Sequence, residues 1–187
     1  MALTMLDPKT ALIVVDLQKG IVGLPLVHPI GEVIVRACAL ASAFRERGLP
    51  VALVNVVGGA PGRTEQPLQT GFRPEDWADL IPELNQQPDD IVVTKRTWGA
   101  FASTDLEAQL KARGVTQVVI VGVATATGVE AAARQAYEQG FNVTLAIDAM
   151  TDRRPEAHDY SLNSVFPRLG ETGTSQEIID LLQTRSA

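Results

Sequence analysis

Asp16, Lys95 and the stretch Val121-Gly-Val-Ala-Thr-Ala-Thr-Gly-Val-Glu130 are the parts of this chain whose residue types and placement could do chemistry. Each follows a run of apolar, largely β-branched residues of the kind that forms a strand buried on both faces of a parallel sheet. A carboxylate and an ammonium brought together in a dry cleft shift each other's pKa, an arrangement that recurs at catalytic sites. The tight, Thr-rich turn ahead of Glu130 would set a reactive residue at the carboxyl end of a strand and the positive end of a helix. Gly128 stands there, so no covalent intermediate can form at that position. Taken singly, an Asp at a strand end is usually a cap or turn residue and a Lys is usually solvated surface. It is the convergence of three strand ends, from distant parts of the sequence, that points to a site.

The elements that must position these groups can be read from the pattern. Ala11 to Val15 reads as the first strand, ending in Asp16. Val33, Ile34, Ala37, Leu40, Ala41 and Phe44 recur at helical spacing between about Gly31 and Arg47, and Gly48 suits the position just past a helix end. Val51 to Val57 is a second strand, followed over residues 58–75 by a Gly- and Pro-rich irregular segment of a length that is usually functional or mobile. Ile91 to Thr94 leads into Lys95 as a third strand, and Thr104-Asp-Leu-Glu107 has the form of a capping box for a helix ending near Gly114. Gln117 to Val123 is the fourth strand. Thr127-Gly-Val-Glu130 is a second capping box, with Thr127 as N-cap, Gly128 as first helical residue and Gly140 closing the helix. Val143 to Ile147 is the fifth strand, ending at Asp148, with two further helices at about 156–166 and 175–183 and a short edge strand around 168–171. Strands alternating with helices imply right-handed crossovers and hence an α/β fold: a three-layer α/β/α sandwich with a mostly parallel sheet of five to six strands, in a single domain spanning residues 1–187.

Composition narrows the partners. The chain has 187 residues, 45% of them hydrophobic, enough for a sizeable core, and a net charge of −6. That field repels nucleic acid and acidic membrane surfaces and favours a small-molecule substrate. No secretory signal or long apolar run precedes the first strand, and the one cysteine, Cys38, has no internal partner, so a cytoplasmic location is expected. His28 and His158 are far apart and read as surface or loop residues, so no metal and no other cofactor is expected; no G-x-G-x-x-G or P-loop follows the first strand.

The blocks Val14-Val-Asp16-Leu-Gln18, Lys95-Arg-Thr-Trp-Gly-Ala-Phe101 and Gly122-Val-Ala-Thr-Ala-Thr-Gly-Val-Glu130, with Asp148-Ala and Phe166-Pro-Arg-Leu-Gly170 downstream, resemble the isochorismatase-like hydrolase superfamily over roughly residues 10 to 182. Most of its members are amidohydrolases with an Asp, Lys, Cys triad. Asp16 matches the Asp and Lys95 the Lys, but the Cys position falls on Gly128. Cys38, among apolar neighbours in a helix, is no substitute. Glycine at that position is similar to the isochorismatases proper, which cleave a vinyl ether by proton donation and water addition. The resemblance therefore implies a hydrolase in which Asp16 acts as general acid, Lys95 holds a carboxylate, and the space over Gly128 admits substrate or water. Because Lys95 favours ionised Asp16, the acid form is expected only beside an anionic substrate. Arg63, Arg73, Arg96 and Lys95 are the candidate groups to offset that substrate's charge, with Trp98 and Phe101 walling an apolar pocket. Gln18, Asn55, Ala124, Thr125 and Thr127 are further candidate substrate contacts. The family's non-proline cis peptide would fall at Val123-Ala124, and family members are commonly oligomeric, so a homo-oligomer, dimer or larger, is expected. The competing reading is a non-catalytic small-molecule binder that kept fold and pocket after losing the nucleophile.

Overall fold

The computed structural model describes residues 3–66 and 73–184. Six parallel strands form one sheet in the order β3-β2-β1-β4-β5-β6, with β1 at Thr10–Val15, β2 at Val51–Val56, β3 at Ile91–Lys95, β4 at Gln117–Val123, β5 at Asn142–Thr151 and β6 at Glu171–Gly173. All six residues of β1 and all seven of β4 are buried, as their uninterrupted apolar sequences require of central strands covered on both faces. Their side chains alternate between two cores. Ile13, Val15, Val118 and Ile120 face Leu106, Leu110, Ala132, Ala133 and Ala136 of helices α3 (Leu106–Ala112) and α4 (Glu130–Glu138). Leu12, Val14, Val119 and Val121 face Ala37, Leu40, Phe44, Ile178 and Leu182 of α2 (Ile30–Glu46) and α6 (Ser175–Thr184). The three layers expected from the sequence are therefore present, with the sheet at the upper end of the expected strand count.

Strand order reverses direction between β1 and β4, and in open α/β sheets ligands bind at such a switch point beyond the carboxyl ends of the strands. The two strands approach closely there. Val15 pairs with Gly122, whose φ is +119°, and a Cβ at Gly122 would run into the Val15 backbone. Glycine is the residue that fits both the conformation and the space.

Several boundaries differ from the sequence reading. A short helix α1 (Lys19–Val22) follows Asp16, and a single 3-10 turn at Pro82–Leu84 stands in the connection between β2 and β3. β5 continues past Asp148 to Thr151; the Asp148 carboxylate instead takes the N–H and hydroxyl of Ser175 at the start of α6, at 2.6 and 2.8 Å. Neither capping box closes. The Thr104 hydroxyl accepts the Leu106 N–H at 3.2 Å, but Glu107 pairs with Lys111 one turn on. Thr127 is not an N-cap at all, because the chain enters α4 through a π-helical turn over Thr125–Val129, and Glu130 pairs with Arg134 and accepts the Ser161 hydroxyl. Gly128 thus lies inside the wide turn and not at the start of the helix. The helix expected over 156–166 is α5 (Pro155–Tyr160) running into a second π-helical turn, Ser161–Val165, and the edge strand lies three residues later than expected. Among the described residues no helix is long and apolar enough to cross a membrane.

Candidate active site

Asp16 directly follows β1 with φ +53°, a left-handed conformation uncommon outside glycine but tolerated by Asp. Its N–H still bonds to Val54 O of β2, so the backbone is held while it turns. Lys95 ends β3, is 1% exposed, and places Nζ 2.8 Å from Asp16 Oδ2 and 3.3 Å from Thr97 O. Oδ1 of Asp16 is buried without a hydrogen-bonding partner. The other such atom among the described residues, Gln139 Oε1, belongs to a part-exposed side chain. A buried carboxyl oxygen that no protein group bonds is costly, and it is explained by strain, by a bound water or ion, or by a role in chemistry.

Burial pushes the Asp16 carboxyl up to about 6, against the opposing pull of Lys95. Desolvation therefore outweighs the ammonium before any ligand arrives, so burial already supplies part of the upward push that the sequence reading assigned to a bound anion. Since Lys95 donates to Oδ2, the proton of the neutral acid belongs on the unpartnered Oδ1.

The turn after β4 supplies the opposite wall. The Val123-Ala124 peptide is cis, as expected. Ala124 O accepts the N–H groups of Thr127 and Val129, both at 3.1 Å. Gly128 is buried, and a Cβ built on it would lie 3.1 Å from Val15 Cγ1, 3.2 Å from Asp16 Oδ2 and 3.2 Å from Val123 O. Asp16, Lys95 and the turn from Ala124 to Gly128 are thus brought together. The glycine, however, lets the turn lie down on Asp16; it does not leave the open space expected over it.

The remaining candidates part from this site. Gln18 is fully buried, and its amide is taken up by backbone: Nε2 donates to Val56 O and Trp77 O, and Oε1 accepts the Val56 N–H at 2.7 Å. Asn55 donates to Ala78 O and accepts the Thr94 hydroxyl. Both clamp the segment around Trp77 across the ends of β1 and β2, a different duty from the substrate contact expected. Phe101 is 4% exposed and packs on Phe141 within the core, so it walls no pocket. Trp98, three residues earlier, is 65% exposed. Arg63 and Arg96 are exposed, whereas Arg73 stacks 4.1 Å over the Trp77 ring and donates to Val57 O. The part of the 58–75 segment at residues 67–72 lies outside the described residues. Cys38 sits half-buried with Sγ 3.1 Å from Glu83 O, and burial pushes its thiol up, which disfavours a thiolate.

Three residues were missed. His158 is buried, contrary to expectation, with Nδ1 2.8 Å from the Thr125 hydroxyl. His28, exposed on a loop, brings its ring centroid to 4.7 Å from that of His158. Burial and then His28 hold His158 below its ordinary value, so it is neutral at pH 7. Asp152 Oδ2 accepts the Ala126 N–H at 2.8 Å. Nothing in the sequence pairs His28 with His158, and extending β5 only to Asp148 hid Asp152. Among the described residues no group of three or more His, Cys, Asp or Glu could hold a metal ion.

The isochorismatase domain model matches residues 10–177. The chain is 40% identical over 179 residues to the uncharacterized isochorismatase family protein YwoC of Bacillus subtilis strain 168, covering 92% of this chain and 93% of that one. It is likewise 40% identical over 182 residues to the uncharacterized isochorismatase family protein YecD of Escherichia coli O157:H7, covering 92% and 96%. Among solved structures, an isochorismatase family protein from Burkholderia thailandensis superposes with a TM-score of 0.92 at 39% identity, covering 96% of this chain and 98% of that one. Matched over nearly its whole length and built on the same sheet, the chain belongs to the isochorismatase family of hydrolases.

Proposed function

We propose that the protein hydrolyses a small carboxylate substrate by general-acid catalysis without a covalent enzyme intermediate, and that the bond cleaved is a vinyl ether. The observation that carries this reading is Asp16: a buried carboxyl raised to about 6, with one oxygen on Lys95 and the other unpartnered, facing a turn that has glycine at position 128. An acid whose pKa lies near the working pH is suited to proton donation. The neutral acid gives its proton from Oδ1 to the terminal carbon of the enol ether; the C=C pair forms the new C–H bond and the adjacent carbon becomes an oxocarbenium ion. The Asp16 carboxylate, still held by Lys95, stabilises that cation. Water adds to it and returns a proton to Asp16, and the resulting hemiketal breaks its C–O bond to give a ketone and an alcohol. Lys95 keeps the carboxylate oriented through both halves.

Relatives bearing different names leave the bond type open. The chain is 25% identical over 186 residues to the maleamate amidohydrolase of Pseudomonas putida and 25% identical over 186 residues to the probable isochorismatase of Pseudomonas chlororaphis. The glycine favours the ether, because attack by a side chain on an amide carbon needs a nucleophile that position 128 cannot supply. Exposed Trp98, on the loop that follows Lys95, suits burial in the homo-oligomer, dimer or larger, that this reading includes.

Incubation of the wild type with isochorismate, nicotinamide and carbamoyl substrates tests the proposal. Product from the vinyl ether alone, lost in Asp16→Asn while ligand-induced thermal stabilisation persists, is the expected result. Retained turnover in purified Asp16→Asn would sink the acid role. Stabilisation by a ligand with no product from any substrate would instead favour the non-catalytic binder.

A further inference from the structure

The Thr125 end of the reactive turn is tied down by groups that the proposed chemistry does not use. Thr125 is fully buried, and its hydroxyl meets Nδ1 of His158 on α5 at 2.8 Å. Behind His158 stands His28, itself fixed by Thr151: the Thr151 hydroxyl accepts the His28 backbone N–H at 3.1 Å and lies 3.1 Å from its ring Nδ1. The next residue of the turn, Ala126, gives its N–H to Asp152 Oδ2, while Asp152 Oδ1 accepts the N–H groups of Arg153 and Arg154. Two consecutive residues of the turn are therefore anchored, one by an imidazole and one by a carboxylate, both from the segment that leaves β5.

The other end of the same turn lies on Asp16. A Cβ at Gly128 would lie 3.2 Å from Asp16 Oδ2, beside Val15 Cγ1 and Val123 O. The turn is thus part of what keeps water off the carboxyl, and slack at Thr125 would let it lift. We propose that His158 is a positioning residue of the active site, holding the Thr125 hydroxyl so that the turn stays seated on Asp16 and keeps that carboxyl dry. The inference rests on the reading of Asp16 as the working acid, but its test reads the titration of Asp16 and needs no substrate.

Side-chain carboxyl NMR of the full chain follows the Asp16 midpoint in wild type, His158→Asn and His158→Phe. Asn can present a polar atom where Nδ1 stood, whereas Phe fills the ring volume without one. Thr125→Ser and Thr125→Val make the same contrast from the other end, and they decide the matter if His158→Phe does not fold. The midpoint is expected near that of the wild type in His158→Asn and Thr125→Ser. In His158→Phe and Thr125→Val it should fall toward the ordinary carboxyl value by enough to cut the neutral fraction at pH 7 about tenfold. An unchanged midpoint in the folded apolar variants, an equal fall in the polar ones, or an ordinary midpoint in the wild type would overturn it. Turnover retained in Asp16→Asn would sink the acid role while leaving this result in place.

Discussion

Gln117 and Asp16 are polar side chains buried at opposite ends of the sheet's two central strands, and they differ in what their hydrogen-bonding atoms meet. At the amino end, Gln117 Oε1 accepts from Asp7 N and lies 3.0 Å from the Thr10 hydroxyl, and Nε2 donates to the Thr144 hydroxyl and to Met5 O. The Thr10 hydroxyl also lies 2.5 Å from Asp7 O. Both atoms of the amide are partnered, and the cluster ties the segment before β1 to β4 and β5. At the carboxyl end, Asp16 has one oxygen on Lys95 and the other without a partner among the described residues. The same burial that is neutralised by partners at one end is left partly unpaid at the other, which is how a stability device and a reactive site are told apart.

Substitutions at the two residues should therefore fail differently. Removing a general acid costs about 10²- to 10⁴-fold in rate, so Asp16→Asn should lose turnover on that scale while remaining folded. Gln117→Leu should cost about 1 to 3 kcal/mol of stability by stranding its buried partners, with kcat of the folded enzyme unchanged. A Gln117→Leu enzyme that is folded yet inactive would erase the contrast.

The pH dependence of stability gives a second, smaller separation. Asp16 holds its proton more tightly folded, at about 6, than at its ordinary 3.8. A carboxyl raised on folding adds stability that is present below pH 4 and is lost as pH rises through 6, about 3 kcal/mol in all. Urea unfolding at pH 4 and pH 7 should show that Asp16→Asn removes some 2 to 3 kcal/mol of the difference. Gln117→Leu should keep it. Identical pH differences in wild type and Asp16→Asn would mean that Asp16 has an ordinary pKa.

The central sheet was legible because β1 and β4 are apolar runs that suit nothing but a doubly covered strand, and Asp16 and Lys95 were legible because each sits where such a run stops. What lay off the strands was harder to read. Trp98 and Phe101 share helical spacing in sequence, yet one is exposed and the other is core, because the chain between them turns and lets Gly99 pack against Gln135. Gln18 follows Asp16 closely enough to suggest the site, but its amide length matches the backbone of Val56 and Trp77, and those bonds depend on a connection of some twenty residues that no local pattern specifies. The capping box at Thr127 failed for a related reason. The π-helical turn starts two residues earlier and is fixed by Asp152 and His158, whose approach depends on the register of β5.

Gly128 offers the mildest test, and it separates two meanings of the same residue. If the glycine exists to leave room for substrate or water, a methyl group there blocks the site, and Gly128→Ala should lose turnover with its stability intact. If it exists so that the turn can lie against β1, the methyl group is a packing problem. The three neighbours of the would-be Cβ stand at 3.1 to 3.2 Å, a few tenths of an ångström inside ordinary contact, and one of them is backbone. Overpacking of that size costs about 1 to 3 kcal/mol, while Ala in place of Gly in a helical turn returns up to about 1. The expected result is a net loss of about 1 kcal/mol in denaturant unfolding with turnover reduced by no more than about tenfold, the most that a turn eased off Asp16 would bring, since no step of the proposed reaction uses a side chain at that position. A hundredfold loss of turnover in an equally stable Gly128→Ala enzyme would restore the vacancy and make the glycine part of the substrate site.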